Sequence, residues 1–226
     1  MVIFIKTYSY DKEYLQYCLK SIKKFVTGYE YICIVSDDNF DFDRQGLKID
    51  FIVEKQRYNK IGYENQQITK LYSFNYVPVE VDKIFFIDSD TIFTDYTDLS
   101  LYPAQWFYRY WSELGNDPHT CWRNTMEEIF GKDKTIDTMA GPGNIYTRHL
   151  FNCLQIWLLT KGLTFKTLYE KYKVVSEFQL MGNYIYHTDF EEFNLLHASK
   201  YNYKLKQFWS HDKIIKNKAE IEKYLN

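Results

Sequence analysis

Short, mostly apolar runs alternate along the chain with segments whose apolar residues return every three or four positions. The runs are residues 2–5 (VIFI), 31–35, 47–53 and 83–87, and they read as strands. Between the first two, Leu15, Leu19, Ile22 and Val26 recur at helical spacing, so residues 10–26 read as a helix that Ser9 or Asp11 can cap. Ile68, Leu71 and Tyr72 share one face of a second helix, residues 65–76, which Pro78 closes. Strands alternating with helices predict an α/β fold with a mostly parallel central sheet flanked by helices.

Beyond residue 100 the pattern is less regular. Residues 104–111 (AQWFYRYW) read as a strand, and residues 120–130 as a helix ended by Gly131. AGPGN, residues 140–144, is a tight loop; residues 148–159 and 176–186 are helices, and residues 193–196 are a late strand. No internal repeat and no linker interrupts the chain, so one domain over residues 1–226 is expected.

Composition narrows the function classes. With 46% apolar residues the chain buries a core, and its 22 Tyr and 17 Phe supply much of it. A net charge of −2 argues against a nucleic-acid binder. The lysine-rich end, residues 200–223, is interleaved with Asp212, Glu220 and Glu222 and reads as a solvated surface. Cys18, Cys33, Cys121 and Cys153 lack metal-ligand spacing and read as buried free thiols of a reducing compartment. The first residues read as a strand and not a signal peptide, and no apolar run approaches the ~20 residues of a membrane span, so no transmembrane segment and a cytoplasmic location are expected.

The chemistry concentrates at strand ends. Thr7, Asp37 and the pair Asp88 and Asp90 follow apolar strands, and in a parallel sheet such ends converge on one edge, where ligands bind. IFFIDSDTIF, residues 84–93, raises three readings: a structural turn, a phosphatase with Asp88 as nucleophile and Asp90 as acid, or a metal clamp for a nucleotide diphosphate. In haloacid-dehalogenase-like phosphatases the motif follows the first strand, with Thr or Val two places after the second Asp. Here it follows the fourth predicted strand, and Ile92 holds that place. No Walker-type loop or GxGxxG is present.

ITKLYSF (68–74) followed by KIFFIDSDTIF resembles the glycogenin-like pattern of GT-A glycosyltransferases, a TKL helix before a strand ending in DxDT. MVIFIKTYSYDKEYLQYCLKSI is similar to the usual GT-A opening, and QQITKL with SEFQLMGNYIYH (176–187) resembles small bacterial and viral glycosyltransferase-like proteins. The resemblance covers the first hundred residues and short islands beyond. It implies a GT-A fold, with residues 1–100 as a nucleotide-binding half and 101–226 as an acceptor-binding half. It also implies a nucleotide-diphosphate sugar donor, UDP-linked, Mn²⁺ or Mg²⁺ as cofactor, and a glycan or other hydroxyl acceptor. Asp90 would hold the cation, Asp88 the cation or ribose, and His211 would complete the metal shell. Thr7 and Asp37 would face the base, Lys70 and Gln67 the donor's phosphates or sugar, and Gly143 and Asn144 the donor sugar from beneath. Lys70 read without the resemblance is a solvent-facing helix lysine. Glu177 is the expected catalytic base for transfer with inversion, or an orienting group for transfer with retention. Trp106, Tyr108, Trp111 and Tyr146 are available to stack on sugar rings, with core packing the simpler expectation.

Overall fold

The structure, a computed structural model, describes residues 1–54, 62–115, 118–132, 134–172, 174–200, 204–208 and 214–226. Its first half runs β1 (Val2–Thr7), α1 (Lys12–Phe25), β2 (Val26–Thr27), β3 (Ile32–Ser36), β4 (Ile49–Val53), α2 (Gly62–Leu71), β5 (Lys83–Asp88), β6 (Thr91–Phe93) and β7 (Thr97–Asp98). The second runs β8 (Gln105–Tyr108), α3 (Arg123–Phe130), β9 (Asn144–Thr147), α4 (Arg148–Thr160), α5 (Phe165–Lys171), α6 (Glu177–Thr188), β10 (Asn194–His197), β11 (Leu205–Gln207) and α7 (Ile214–Leu225).

The central sheet has the order β4-β3-β1-β5-β9. Its first four members are parallel, and β9 runs antiparallel to β5. Every residue of β1 and β3 is buried, as unbroken apolar strands covered on both faces must be. The chain passes from β1 outward to β3 and β4, then returns to the other side of β1 as β5. That reversal makes the gap beyond the carboxyl ends of β1 and β5 the topological switch point, the position where open α/β sheets bind ligands. The register sets Lys6 opposite Asp88 there. Three two-stranded ladders, β8–β10, β6–β11 and β2–β7, decorate the sheet.

Several boundaries differ from the sequence reading. The first helix starts at Lys12, and Asp11, although at its cap position, makes no side-chain cap; its carboxylate accepts from Ser89 Oγ at 3.3 Å instead. The helix predicted over 65–76 starts at Gly62 and gives way after Leu71 to a single 3₁₀ turn over Ser73–Asn75. The strand predicted over 104–111 stops at Tyr108, because Arg109 bridges to Asp137 and Trp111 opens a 3₁₀ turn. A 3₁₀ turn over Pro118–Trp122 precedes α3, which begins at Arg123, not residue 120. The cysteines are free, but Cys121 is exposed and Cys153 only half-buried, so burial holds for Cys18 and Cys33 alone. α5, α7, β2, β6, β7, β9 and β11 are elements that the sequence reading does not contain. Within the lysine-rich end, α7 buries Ile221 completely and ties to α1 through Asn217 Nδ2, which donates to Tyr14 O–H at 2.9 Å.

One contiguous apolar cluster extends from Val2 to Ile221. Trp106 and Tyr146 are fully buried and Trp111 nearly so, while Tyr108 packs edge-on against His197. Sugar stacking is therefore closed to Trp106, Trp111 and Tyr146. Among the described residues no helix is long and apolar enough to cross a membrane.

Gly182, in the middle of α6, lies where a Cβ would stand 2.4 Å from Thr138 Cβ. Helix propensity alone favours alanine by about 1 kcal/mol, but overpacking costs about 1–3 kcal/mol. Gly182→Ala is expected to lower the thermal midpoint; a rise in a melting experiment would show that the α6–Thr138 contact is loose.

Candidate functional site

β5 pairs with β9 as far as Phe86 and with β1 as far as Asp88, where the strand ends. The chain turns at Ser89 and Asp90 and restarts as β6, which pairs with β11 instead. The two acids thus flank a tight turn at the switch point. Phe208 N–H donates to the Asp90 carbonyl at 2.8 Å, fixing the turn from the C-terminal side.

A cavity of about 500 Å³ opens over this turn. Gln67, Lys70, Asp88, Asp90, Gly143, Asn144 and Glu177 all line it, although they come from α2, β5, the 140–144 loop and α6. A second cavity of about 460 Å³ holds Thr7 and Asp37. Tyr8, Tyr63 and Gln66 line both cavities, so the two adjoin. Of the candidate site residues, His211 lies outside the described residues, as does Asp212 of the lysine-rich end.

Lys70 is the centre of the larger cavity's wall. Ile68 and Leu71 pack α2 into the core and carry Lys70 inward with them, leaving it 3% exposed. The expectation of a solvent-facing lysine is overturned. Its Nζ lies 2.5 Å from Asp88 Oδ1 and 2.9 Å from Glu177 Oε1, and 4.8 Å from the centre of the Phe178 ring. Burial works against its charge, but the carboxylates of Asp88 and Glu177 outweigh that and hold its pKa above the ordinary lysine value. Glu177 is the first residue of α6, behind Ser176, whose hydroxyl caps the helix by accepting from Gln179 N–H at 3.4 Å.

Asp88 and Asp90 converge on one point. Gln207 Nε2 donates to Asp88 Oδ2 and to Asp90 Oδ1, at 3.2 Å each, and Gln66 Nε2 donates to Asp88 Oδ1 at 3.4 Å. An amide N–H₂ between two carboxylates occupies the kind of position a cation takes. The donor set is oxygen only, suited to a hard divalent ion. Four carboxylates, those of Asp11, Asp88, Asp90 and Glu177, line this cavity against the cations of Lys70 and Arg109. Among the described residues no group of three or more His, Cys, Asp or Glu side chains that could hold a metal ion is found, so a cation at Asp88 and Asp90 would need further ligands from outside this set.

Other candidates have distinct surroundings. Asp37 pairs with Lys6 and accepts from Asn65 Nδ2 at 2.9 Å, so its carboxylate is held rigidly at the smaller cavity. Burial raises the neighbouring Asp38 carboxyl, but hydrogen bonds from Ser9 and Ser36 outweigh it and leave its pKa below the usual range. Gly143 has φ +80°, and a Cβ there would stand 2.8 Å from the Phe85 ring, so its glycine is required by the backbone that aims Asn144 into β9. The oxygens Gln67 Oε1 and Asn144 Oδ1 are buried without a hydrogen-bond partner among the described residues.

Sequence reasoning missed Lys6, Asp11, Gln66, Asn65 and Gln207. A lysine within the buried run VIFIKT and the polar ENQQ ahead of ITKL were visible signals for Lys6, Asn65 and Gln66. Gln207 had none, because only the tertiary pairing of β11 with β6 delivers it. The buried carboxylate of Asp137 was also missed. It accepts from Arg109 Nη2 at 2.7 Å and Nε at 3.0 Å, and from Gln179 Nε2, joining β8 to α6 behind the cavity.

No family model matches the sequence, and no curated protein matches it.

Removing Lys70 strands two carboxylates. Lys70→Met is expected to destabilise the fold by about 3–5 kcal/mol, the usual cost of breaking a buried pair from one side. A neutral effect in denaturant unfolding would mean that Lys70 is solvated. Because the folded-state pKa is raised, this contribution is complete below the ordinary lysine value of 10.5 and declines as pH rises past it. The stability difference between wild type and Lys70→Met should therefore be constant near neutrality and shrink only above that pH.

Proposed function

We propose that the chain is a metal-dependent glycosyltransferase of the GT-A type, which transfers a sugar from a UDP-linked donor to a glycan or other hydroxyl acceptor. The observation behind this reading is convergence: residues far apart in the chain, chosen for donor binding, line two adjoining cavities at the switch point of a mostly parallel sheet.

In this reading the smaller cavity takes the nucleoside, against Thr7 and Asp37. Asp88 and Asp90 would hold Mn²⁺ or Mg²⁺, with Asp88 also reaching the ribose, and His211, which the resemblance puts in the metal shell, lies outside the described residues. When bound, the cation supplies charge neutralisation for the diphosphate. Lys70, kept protonated by its two carboxylates, adds a fixed positive charge beside the leaving group. Gly143 and Asn144 support the sugar. The acceptor oxygen bonds to the anomeric carbon as the bond from that carbon to the diphosphate breaks. For transfer with inversion Glu177 takes the acceptor's hydroxyl proton, with its carboxylate oriented by Lys70 at 2.9 Å, and for transfer with retention it orients the substrate. Cys18, Cys33, Cys121 and Cys153, free in the structure, suit a reducing, cytoplasmic setting.

A donor screen tests the reading. Mn²⁺ with UDP-sugars should raise the thermal midpoint and release UDP. Stabilisation without release over many acceptors would make the chain a nucleotide-sugar-binding module, and phosphate release from simple esters would make it a phosphatase.

Two substitutions sharpen it. Asp90→Asn should abolish Mn²⁺-dependent UDP binding while circular dichroism stays unchanged; undiminished binding in calorimetry would remove Asp90 from the cation. Glu177→Gln should lower turnover by roughly 10²–10⁴-fold while donor affinity is kept; near-normal turnover would end its role as base.

A further inference from the structure

We propose that Gln207 is a protein ligand of the cation beside Asp88 and Asp90, through its amide oxygen, so that the C-terminal strand β11 contributes to the donor site. This rests on the metal-dependent reading above and adds to it a residue outside the acidic motif.

The geometry begins with the amide's position. Gln207 Nε2 stands 3.2 Å from one oxygen of Asp88 and 3.2 Å from one oxygen of Asp90. Both distances lie at the long end of the hydrogen-bond range. A carboxamide is a donor at one end and an acceptor at the other, and half a turn about its last bond exchanges the two. Facing two carboxylates alone, it presents N–H₂. Facing a divalent ion held by those carboxylates, N–H₂ would be repelled, while the carbonyl oxygen is a ligand of the kind hard cations accept.

The backbone is fixed so that only the side chain has to turn. Gln207 pairs with Thr91 in the β11–β6 ladder, and Phe208 N–H holds the Asp90 carbonyl at 2.8 Å. Lys206 pairs with Glu220, tying β11 to α7. A Cβ on Gly143 would lie 3.1 Å from Leu205, so β11 also abuts the loop beneath the cavity. A purely structural role would leave the amide bridging the acids permanently. Against that, the buried oxygens of Gln67 and Asn144 on the same cavity wall have no hydrogen-bond partner among the described residues. Buried polar atoms are normally satisfied, so the wall is built to meet something other than itself.

The test is Mn²⁺ binding, followed by electron paramagnetic resonance of free Mn²⁺ on the full chain, with and without UDP and with no turnover required. Wild type should bind. Q207L should bind on the order of 10-fold or more weakly, the scale of losing a ligand or its support, and Q207E should restore binding to the wild-type level or above. Wild-type or tighter binding by Q207L would overturn the proposal and make Gln207 a plug that the ion displaces. If Q207L fails to fold, Q207N, which withdraws the amide by one methylene, takes its place, with the same weakening expected and undiminished binding contradicting it. Binding lost in Asp90→Asn but kept in the Gln207 variants overturns this inference alone. Wild type that binds no Mn²⁺, even with UDP, overturns the metal-dependent reading and this inference with it.

Discussion

The ammonium of Lys70 between Asp88 and Glu177 is the interaction on which the site depends. It joins α2, the end of β5 and the start of α6, three elements that share no strand pairing. Burial alone would favour the neutral form of Lys70, and the carboxylates of half-buried Asp88 and buried Glu177 would repel one another without a cation between them. Together they are stable, and they fix the width of the cavity. The Phe178 ring beside Nζ shields the pair further.

Topology does the rest of the positioning. The reversal between β4 and β5 opens the sheet's edge beyond β1, and the strand-end polar residues meet there because each parallel strand delivers its carboxyl end to the same side. The first half of the chain supplies the wall of the smaller cavity and the acid pair. The second half supplies Glu177, Asn144 and Gln207, so neither half makes the larger cavity alone. β9 runs antiparallel to β5 because the 140–144 loop delivers it from the far end, which brings Asn144 opposite Phe86 and beside the acids.

Much of this was legible in the sequence. Unbroken apolar runs marked β1, β3 and β5 because a strand covered on both faces needs apolar residues at every position. The acids after residues 84–87 stood out because that much buried strand rarely ends in paired charge. Lys70 was visible only through the resemblance of ITKL to a known pattern; periodicity alone left it on a solvated face, since α2 is buried on more than one side and has no clean polar stripe. Gln207 and Asp137 were illegible because each acts through a partner 28 or more positions away. Trp106 and Tyr146 show the converse: large aromatics invite a sugar-binding reading, yet both fill the core.

The central claim is that Asp88 and Asp90 hold a divalent cation together with a nucleotide diphosphate. Crystals grown with Mn²⁺ and UDP, with anomalous scattering measured at the manganese edge, test it most directly. The account predicts one anomalous peak between the two carboxylates, with the diphosphate reaching toward Lys70 and the base in the cavity beside Asp37. A nucleotide ordered elsewhere, or ordered in these cavities with no manganese at the acid pair, would contradict it.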